Sequence, residues 1–408
     1  MLSQFSVKNY KSFRDEMTFD MQAVAITEHV THLIGEANGE KYLPIAAIYG
    51  PNGGGKSNVL EALQIFVSKV LRPIYVAVSG PELVSISKSY SAVPFAFSEA
   101  SRKAPTEFEL FFRTETSEYR YILHVKEEDI IYEQLDRIKK ETGRKSALFS
   151  RNGTGIELKG VLGGLKISDG LSATIPLLSY LGITYGENEI IKEILDWFKN
   201  GIDFLNYGNP FQELRMVVAG AEESKRIILK MIKEMDLDID NFRIEKKENG
   251  QVEIFTTHIV DGVGVELKLE EESSGTRKIF GLLPYIVKSI VDGTVLLVDE
   301  LDAKVHPALL KYIIGLYTNP DINRNGAQLI YTSHDLSTLN NELFRRDEIW
   351  FVAKGNGQNS KLYSLVEFKN EKGEAIRKDA KYDKQYLEGK YGADPYLQKI
   401  IDWSEPDA

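Results

Sequence analysis

The chain has 408 residues, which allows two or three domains or one core with a large insertion, and 43% of them are hydrophobic. The absence of cysteine excludes a disulfide scaffold, a thiolate zinc site and a cysteine nucleophile, and the net charge of -10 argues against a generally basic, nucleic-acid-coating surface. The sequence does not open on a signal-peptide pattern, and no apolar run reaches about 18 residues, so we expect a cytoplasmic protein without a membrane segment.

The first elements predicted are strands. Residues 5–10 and 17–21 alternate between apolar and polar side chains, which is typical of two half-buried strands. Residues 45–49 form a short continuous apolar run and predict a strand buried on both faces. Beyond residue 57, apolar positions from 59 to 70 share one helical face.

Residues 50–57 read Gly-Pro-Asn-Gly-Gly-Gly-Lys-Ser and match the phosphate-binding pattern G-x-x-x-x-G-K-[ST] between a strand and a helix. We expect the backbone N–H groups of this P-loop to bind a β-phosphate, Lys56 to neutralise the phosphate oxygens, and Ser57 to bind Mg²⁺. The candidate nucleotide-binding residues of the loop are Asn52, Gly53, Gly54, Gly55, Lys56, Ser57 and Asn58. No guanine-reading [NT]-K-x-D pattern occurs, which favours ATP over GTP.

The middle of the chain changes character twice. Alternating segments from 106 to 160 predict a meander of antiparallel strands with turns near 115–117 and 151–153. Residues 189–198 and 221–235 have helical periodicity and many charges, with a turn cluster at 206–210 between them. Strands are predicted again at 242–245 and 252–255, separated by a turn at 248–250.

A second cluster of polar residues follows buried strands in the last third of the chain. Residues 294–300 form an apolar strand that ends in two acids, of which we expect Asp299 to hold Mg²⁺ through water and Glu300 to polarise the attacking water. Adjacent carboxylates at such a position are costly without a cation or water. His334 follows the next predicted strand and is a candidate hydrogen-bond donor to a γ-phosphate.

Two further features have alternative interpretations. Asp302 is either a residue at a subunit boundary or a helix N-cap. The Ser273–Gly275 segment precedes a helix predicted at 279–291 and is either a second anion-binding turn or an ordinary helix cap.

These patterns predict an α/β fold with a P-loop. We expect an N-terminal ATPase lobe at 1–170, a helical insertion or lid at 171–240, a C-terminal ATPase lobe at 241–370 and a tail at 371–408.

The order of the motifs resembles the ABC-type ATPases, which include SMC and Rad50-like proteins. The opening Phe-Ser-Val-Lys-Asn-Tyr-Lys-Ser-Phe, the P-loop, the Asp-Glu-Leu-Asp at 299–302 with His-Pro at 306–307, and Tyr-Leu-Glu-Gly-Lys-Tyr-Gly-Ala at 386–393 resemble more narrowly the AbiLi/RloA, OLD-like and AriA-like anti-phage ATPases. The resemblance covers most of residues 1–70 and 265–395, whereas the middle is similar only in layout.

This resemblance implies a two-lobed head, two copies of which sandwich two ATP molecules. The Ser273–Gly275 turn would contact the γ-phosphate on the partner's P-loop, with Asp302 near the interface and His334 sensing the γ-phosphate. The signature departs from Leu-Ser-Gly-Gly-Gln, the usual Gln after the first lobe has no evident counterpart, and the middle is too short for a long coiled coil. There is no room after His334 for a Toprim nuclease domain, so we expect nuclease or toxin activity in a separate partner.

The leading functional hypothesis is therefore an ATP-hydrolysing sensor and scaffold of an anti-phage system. It would act as a homo-oligomer with a separately encoded effector, and a phage protein or a nucleic acid is a candidate trigger. One alternative is an SMC/Rad50-like DNA-repair or recombination ATPase. The other is an assembly protein in which ATP is bound but hydrolysed slowly or not at all.

Overall fold

The computed structural model describes residues 1–36, 39–79, 91–168, 170–205, 222–235, 237–247, 252–355, 357–369 and 373–393. The strands within these ranges are β1 (Leu2–Lys8), β2 (Met17–Asp20), β3 (Ile34–Gly35), β4 (Lys41–Tyr42), β5 (Ile45–Tyr49), β6 (Thr106–Arg113), β7 (Ser117–Lys126), β8 (Asp129–Lys139), β9 (Lys145–Asn152), β10 (Gly155–Leu158), β11 (Ile202–Leu205), β12 (Asn241–Lys246), β13 (Val252–Val260), β14 (Val263–Lys268), β15 (Val295–Val298), β16 (Gln328–Thr332), β17 (Ile349–Lys354) and β18 (Ser360–Ser364). The helices are α1 (Lys56–Ser79), α2 (Glu99–Lys103), α3 (Leu177–Tyr185), α4 (Glu189–Asn200), α5 (Glu222–Glu234), α6 (Ser274–Asp292), α7 (Pro307–Thr318) and α8 (Tyr382–Leu387).

The central sheet has six strands in the order β11-β15-β16-β5-β17-β18. Neighbouring strands are parallel except for the β17–β18 pair. All residues of β5, β15 and β16 are buried, because helices cover both faces of a mostly parallel sheet. The prediction of a buried strand at 45–49 is confirmed. The P-loop, the two acids and His334 follow three adjacent strands and therefore meet at one edge of the sheet.

A second sheet has seven antiparallel strands in the order β10-β9-β8-β7-β6-β1-β2. In β7, buried side chains alternate with partly exposed ones, as the meander predicts. The buried face packs against α1: Phe66 of that helix contacts the rings of Phe5, Phe108 and Tyr121. This confirms the meander and gives the long helix after the P-loop an apolar surface to lie on.

The region expected to be a helical insertion contributes a helix to the core beside the seven-stranded sheet and a strand to the central sheet. Helix α4 packs its apolar face into the same core, where the rings of Trp197 and Phe112 lie 4.4 Å apart. Strand β11, which we did not predict, pairs in parallel with β15 at the edge of the central sheet. The charged residues of α4 lie on one side, and its other side holds the buried Ile191, Ile194 and Phe198. The number of charged residues therefore did not indicate that this helix packs into the core.

The opposite face of the central sheet is covered by α5, α6 and α7, which share a second apolar core with β17 and with Tyr382 and Tyr391 near the C-terminal end of the described residues. The hairpin β13–β14 extends β12 into a small sheet just before α6. Helix α6 begins at Ser274, five residues before the predicted start, because Ser273 caps it. The predicted turns at 206–210 and 248–250, and the tail beyond 393, lie outside the described residues.

Candidate nucleotide-binding site

The P-loop joins β5 to α1, and two distant segments hold its glycines. The hydroxyl of Ser360 donates a hydrogen bond of 2.6 Å to the carbonyl oxygen of Gly54. Gly55 has a φ of 111°, and a Cβ atom there would lie 2.6 Å from Oγ of Ser12 and 2.9 Å from Oγ of Ser360. The turn after β1 and the start of β18 therefore pack so closely on the loop that position 55 has no space for a side chain.

Lys56 is buried in the first turn of α1, with 6% of its surface exposed. Its ammonium group donates to the carbonyl oxygens of Gly50 at 2.9 Å and Pro51 at 3.2 Å. Burial lowers the pKa of Lys56 to about 8, although the carboxylates of Asp299, Glu300 and Asp302 act in the opposite direction. An anion placed in the loop would raise this pKa again.

The two acids after β15 are tied to the P-loop and to β16 by a chain of hydrogen bonds. The hydroxyl of Ser57 donates to Oδ1 of Asp299 at 3.1 Å. The hydroxyl of Thr332 donates to the same oxygen at 2.6 Å and accepts from the backbone N–H of Glu300 at 2.7 Å. Glu300 has a φ of 50°, an uncommon conformation for a residue with a side chain, and its carboxylate is exposed at the site.

Asp302 is bonded to the turn that carries His334. Its Oδ2 accepts the backbone N–H of His334 at 3.1 Å, and the N-cap of α7 is His306. The interpretation of Asp302 as the N-cap is therefore wrong, because its carboxylate accepts a hydrogen bond from the backbone after β16 and does not cap α7. Its other oxygen, Oδ1, is buried and has no hydrogen-bond partner among the described residues, so within that part of the chain this carboxylate has an unused acceptor next to the site.

The Ser273–Gly275 segment lies against the turn that follows Glu300. Oγ of Ser273 accepts the backbone N–H of Thr276 at 3.1 Å and so caps α6. Binding of an anion by the same turn stays a prediction. A Cβ atom on Gly275 would lie 3.1 Å from the carbonyl oxygen of Lys304. One turn further along α6, the buried Lys278 donates to the carbonyl oxygens of Glu300 at 2.8 Å and Ala303 at 2.5 Å, and burial lowers its pKa to about 8.

A cavity of 850 Å³ opens beside the P-loop. Asn52 and His334 line it, together with Lys354, Gln358 and Tyr386. A cavity of this volume is large enough for a nucleotide-sized ligand or for a loop of a second protein chain. Asn58, in contrast, directs its side-chain amide away to Oγ of Ser12 at 2.8 Å.

The residues present fit a magnesium ion that arrives with a nucleotide. Among the described residues, no three His, Asp or Glu side chains group closely enough to hold a metal ion by themselves. Ser57 and Asp299 offer one hydroxyl and one carboxylate 3.1 Å apart, and Mg²⁺ is commonly held by one or two such groups together with phosphate oxygens and water. These two residues would hold the ion.

Sequence reasoning missed four residues that shape the site, namely Ser12, Lys278, Thr332 and Ser360. Thr332 could have been found, since it ends a predicted buried strand next to His334. Lys278 and Ser360 act through contacts between segments that are distant in sequence, and no local pattern marks them. Ser12 belongs to the opening motif at 5–13, but that motif does not reveal its contact with Gly55.

Residues 45–340 match the family model described as "AAA domain, putative AbiEii toxin, Type IV TA system". The chain belongs to this family. The match covers both the P-loop and the acidic turn, and together with the strand order it confirms the predicted α/β P-loop ATPase fold. No curated protein matches the sequence significantly.

The fold is similar to solved SMC head domains. The SMC head domain from Thermotoga maritima is 15% identical, with a TM-score of 0.43 and coverage of 89% of this chain and 98% of that one. An SMC head bound to the C-terminal winged-helix domain of ScpA is 14% identical, with a TM-score of 0.49 and coverage of 89% and 97%. An SMC head from Pyrococcus furiosus is 13% identical, with a TM-score of 0.43 and coverage of 89% and 96%. Within the described ranges, every helix is too short or too polar to cross a bilayer.

Proposed function

We propose that this protein hydrolyses ATP in sites formed between two copies of the chain, and that ATP-dependent assembly controls a separately encoded effector in anti-phage defence. The observation that carries the proposal is the hydrogen-bonded series from Ser57 through Asp299 and Thr332 to Glu300. It supports the proposal because the hydroxyl of Ser57 and the carboxylate of Asp299 are groups of the kind that bind Mg²⁺, and the exposed carboxylate of Glu300 is of the kind that activates water.

We assign two tasks to these residues: they position the phosphates, and they accept a proton from the attacking water. The P-loop amides and Lys56 bind the phosphates. A Mg²⁺ ion held by Ser57 and Asp299 would neutralise charge on the phosphate oxygens. Glu300 accepts a proton from the attacking water, and His334 donates a hydrogen bond to the γ-phosphate. The Ser273–Gly275 turn of a second copy completes the site from the other side.

The defence role rests on two further supports. The family's own description names a toxin and a type IV toxin–antitoxin system, and the motifs at both ends of the chain resemble the AbiLi/RloA, OLD-like and AriA-like group. The motif at 386–393 includes Tyr386, which lines the cavity beside the P-loop. We place any nuclease or toxin activity in a partner protein.

ATP turnover and oligomeric state test this proposal together. Wild-type protein should release phosphate from ATP in the presence of Mg²⁺, and Lys56→Ala should abolish nucleotide binding. Glu300→Gln should bind ATP, turn over about 100-fold more slowly or worse, and accumulate as a dimer or higher oligomer in mass photometry. Turnover of Glu300→Gln at the wild-type rate would remove the assigned role of Glu300. DNA-stimulated turnover with steep salt dependence would support a DNA-repair role instead.

A further inference from the structure

Lys278 links the start of α6 to the turn that carries Glu300. It lies one turn beyond Ser274, is 7% exposed, and donates to the carbonyl oxygens of Glu300 and Ala303 at 2.8 and 2.5 Å. A buried ammonium group is costly unless such acceptors surround it. The lysine and the turn therefore constrain each other's position.

A second contact joins the same two segments. A Cβ atom on Gly275 would lie 3.1 Å from the carbonyl oxygen of Lys304, so the first turn of α6 packs directly on the end of the acidic turn. Both Glu300 and Lys304 have positive φ angles, of 50° and 61°. Residues with side chains keep such conformations when their surroundings enforce them, and α6 contacts this turn through both Gly275 and Lys278.

The carbonyl of Glu300 is held from two directions. It accepts the backbone N–H of Ala303 at 3.1 Å as well as the ammonium group of Lys278. On the other side, Thr332 holds the N–H of Glu300. A displacement of the first turn of α6 would therefore change the backbone that aims the Glu300 carboxylate.

We propose that Lys278 is a positioning residue that couples the Ser273–Gly275 turn to Glu300 of the same chain. This inference rests on the proposed function, in which that turn contacts a phosphate held by a second copy. A phosphate bound at the turn then sets the orientation of the carboxylate at the chain's own P-loop. The two ATP sites of a dimer communicate through this side chain.

The test uses full-length Lys278→Met, which keeps the aliphatic stem and removes the donor. We expect kcat to fall about 100-fold, as for a misplaced catalytic group, while the affinity for ATP stays within about twofold because the P-loop is untouched. Lys288→Met is the matched control, since Lys288 lies on the same helix and pairs with Asp203 away from the site. It should retain the wild-type kcat.

A double-mutant cycle with Glu300→Gln separates positioning from a general loss of structure. If Lys278 acts through Glu300, Lys278→Met causes no further loss in the Glu300→Gln background. An equal loss in both backgrounds, or a kcat equal to that of Lys288→Met, would overturn the coupling. If Lys278→Met unfolds at the assay temperature, Lys278→Gln replaces it. Its amide reaches one carbonyl at most, so an intermediate kcat is expected and a wild-type kcat overturns the inference.

The same assays keep this inference apart from the proposed function. A wild-type protein without Lys56-dependent turnover refutes the proposed function itself. Normal wild-type turnover that survives in Lys278→Met refutes the coupling alone.

Discussion

The Oγ atom of Ser57 lies 3.1 Å from Oδ1 of Asp299, although 242 positions separate the two residues. The contact exists because β16 lies between β5 and β15, so that the loops after all three strands converge. Thr332, at the end of the middle strand, bonds to Asp299 and to the backbone of Glu300. The central strand thus aligns the two halves of the proposed site.

This alignment predicts that Asp299→Asn changes the dependence of turnover on the Mg²⁺ concentration. Loss of the carboxylate should raise the Mg²⁺ concentration needed for half-maximal turnover by about 10- to 100-fold, as for other residues that orient metal ligands. The measurement is phosphate release across a Mg²⁺ titration at saturating ATP. Asp292→Asn, which changes an exposed acid at the end of α6, is the control and should leave the titration unchanged. An unchanged midpoint for Asp299→Asn would refute its assignment to the metal.

The packing of Ser12 and Ser360 on the P-loop predicts that Gly55→Ala is severe. The new methyl group meets both hydroxyls at a φ of 111°, and such strain costs about 1–3 kcal/mol. We expect a lower melting temperature and loss of binding of a fluorescent ATP analogue. Gly357→Ala is the comparison, since a Cβ atom there meets no atom of the described residues within 4 Å. Equal melting temperatures and equal binding of the ATP analogue in the two variants would show that the P-loop can shift to make room for the methyl group.

Completion of each site by a second copy predicts rescue in mixtures. Lys56→Ala loses the P-loop function, and Ser273→Arg loses the turn on α6, so each protein alone should be inactive. In a symmetric dimer of both variants, one of the two sites combines an intact P-loop with an intact turn. Half of randomly paired dimers contain one complete site out of two, so mixing equal amounts should recover at most about a quarter of wild-type turnover. Recovery should stay below that limit but above either variant alone, because Ser273→Arg also removes the phosphate contact that we propose positions Glu300 of the same chain. No recovery would indicate that the turn acts within its own chain or not at all.

The hairpin before α6 predicts a pH-dependent contribution to stability. Nε2 of His258 lies 2.7 Å from Oε1 of Glu272, and its Nδ1 lies 2.7 Å from the carbonyl oxygen of Asp238. The hydrogen bond to Glu272 raises the pKa of His258 above its ordinary value of 6.5, so the folded protein binds this proton more tightly than the unfolded chain. The stabilisation is fully present below pH 6.5 and is lost as the pH rises through the raised pKa.

The measurement is the difference in melting temperature between wild type and His258→Gln from pH 5.5 to 9, about 1 unit below and about 2.5 units above the ordinary pKa of 6.5. The difference should be largest at low pH and decline as His258 loses its proton. Glu272→Gln should flatten the trend, since it removes the charged partner. A difference that grows with pH would contradict the assignment.

Much of the fold was predictable because its signals are local. The alternation in β7 reflects one buried and one exposed face, and the P-loop has a pattern of residue types that its backbone conformation requires. The contribution of residues 177–205 was not predictable in this way. Helix α4 has a charged face and an apolar face, and periodicity alone does not say which surface the apolar face will meet. Strand β11 is four residues long and gains its place only by pairing with β15.

The sequence by itself determined which groups are available for chemistry: a phosphate-binding loop with Lys56 and Ser57, two acids after a buried strand, and a histidine after another. Its local patterns also determined the antiparallel meander and the strand–loop–helix around the P-loop. The tertiary structure alone decided that β16 separates β5 from β15, that Ser12 and Ser360 close on Gly55, and that Lys278 holds the backbone of Glu300. Those contacts join residues far apart in the chain, and their burial depends on surfaces that exist only after the sheets and helices have packed.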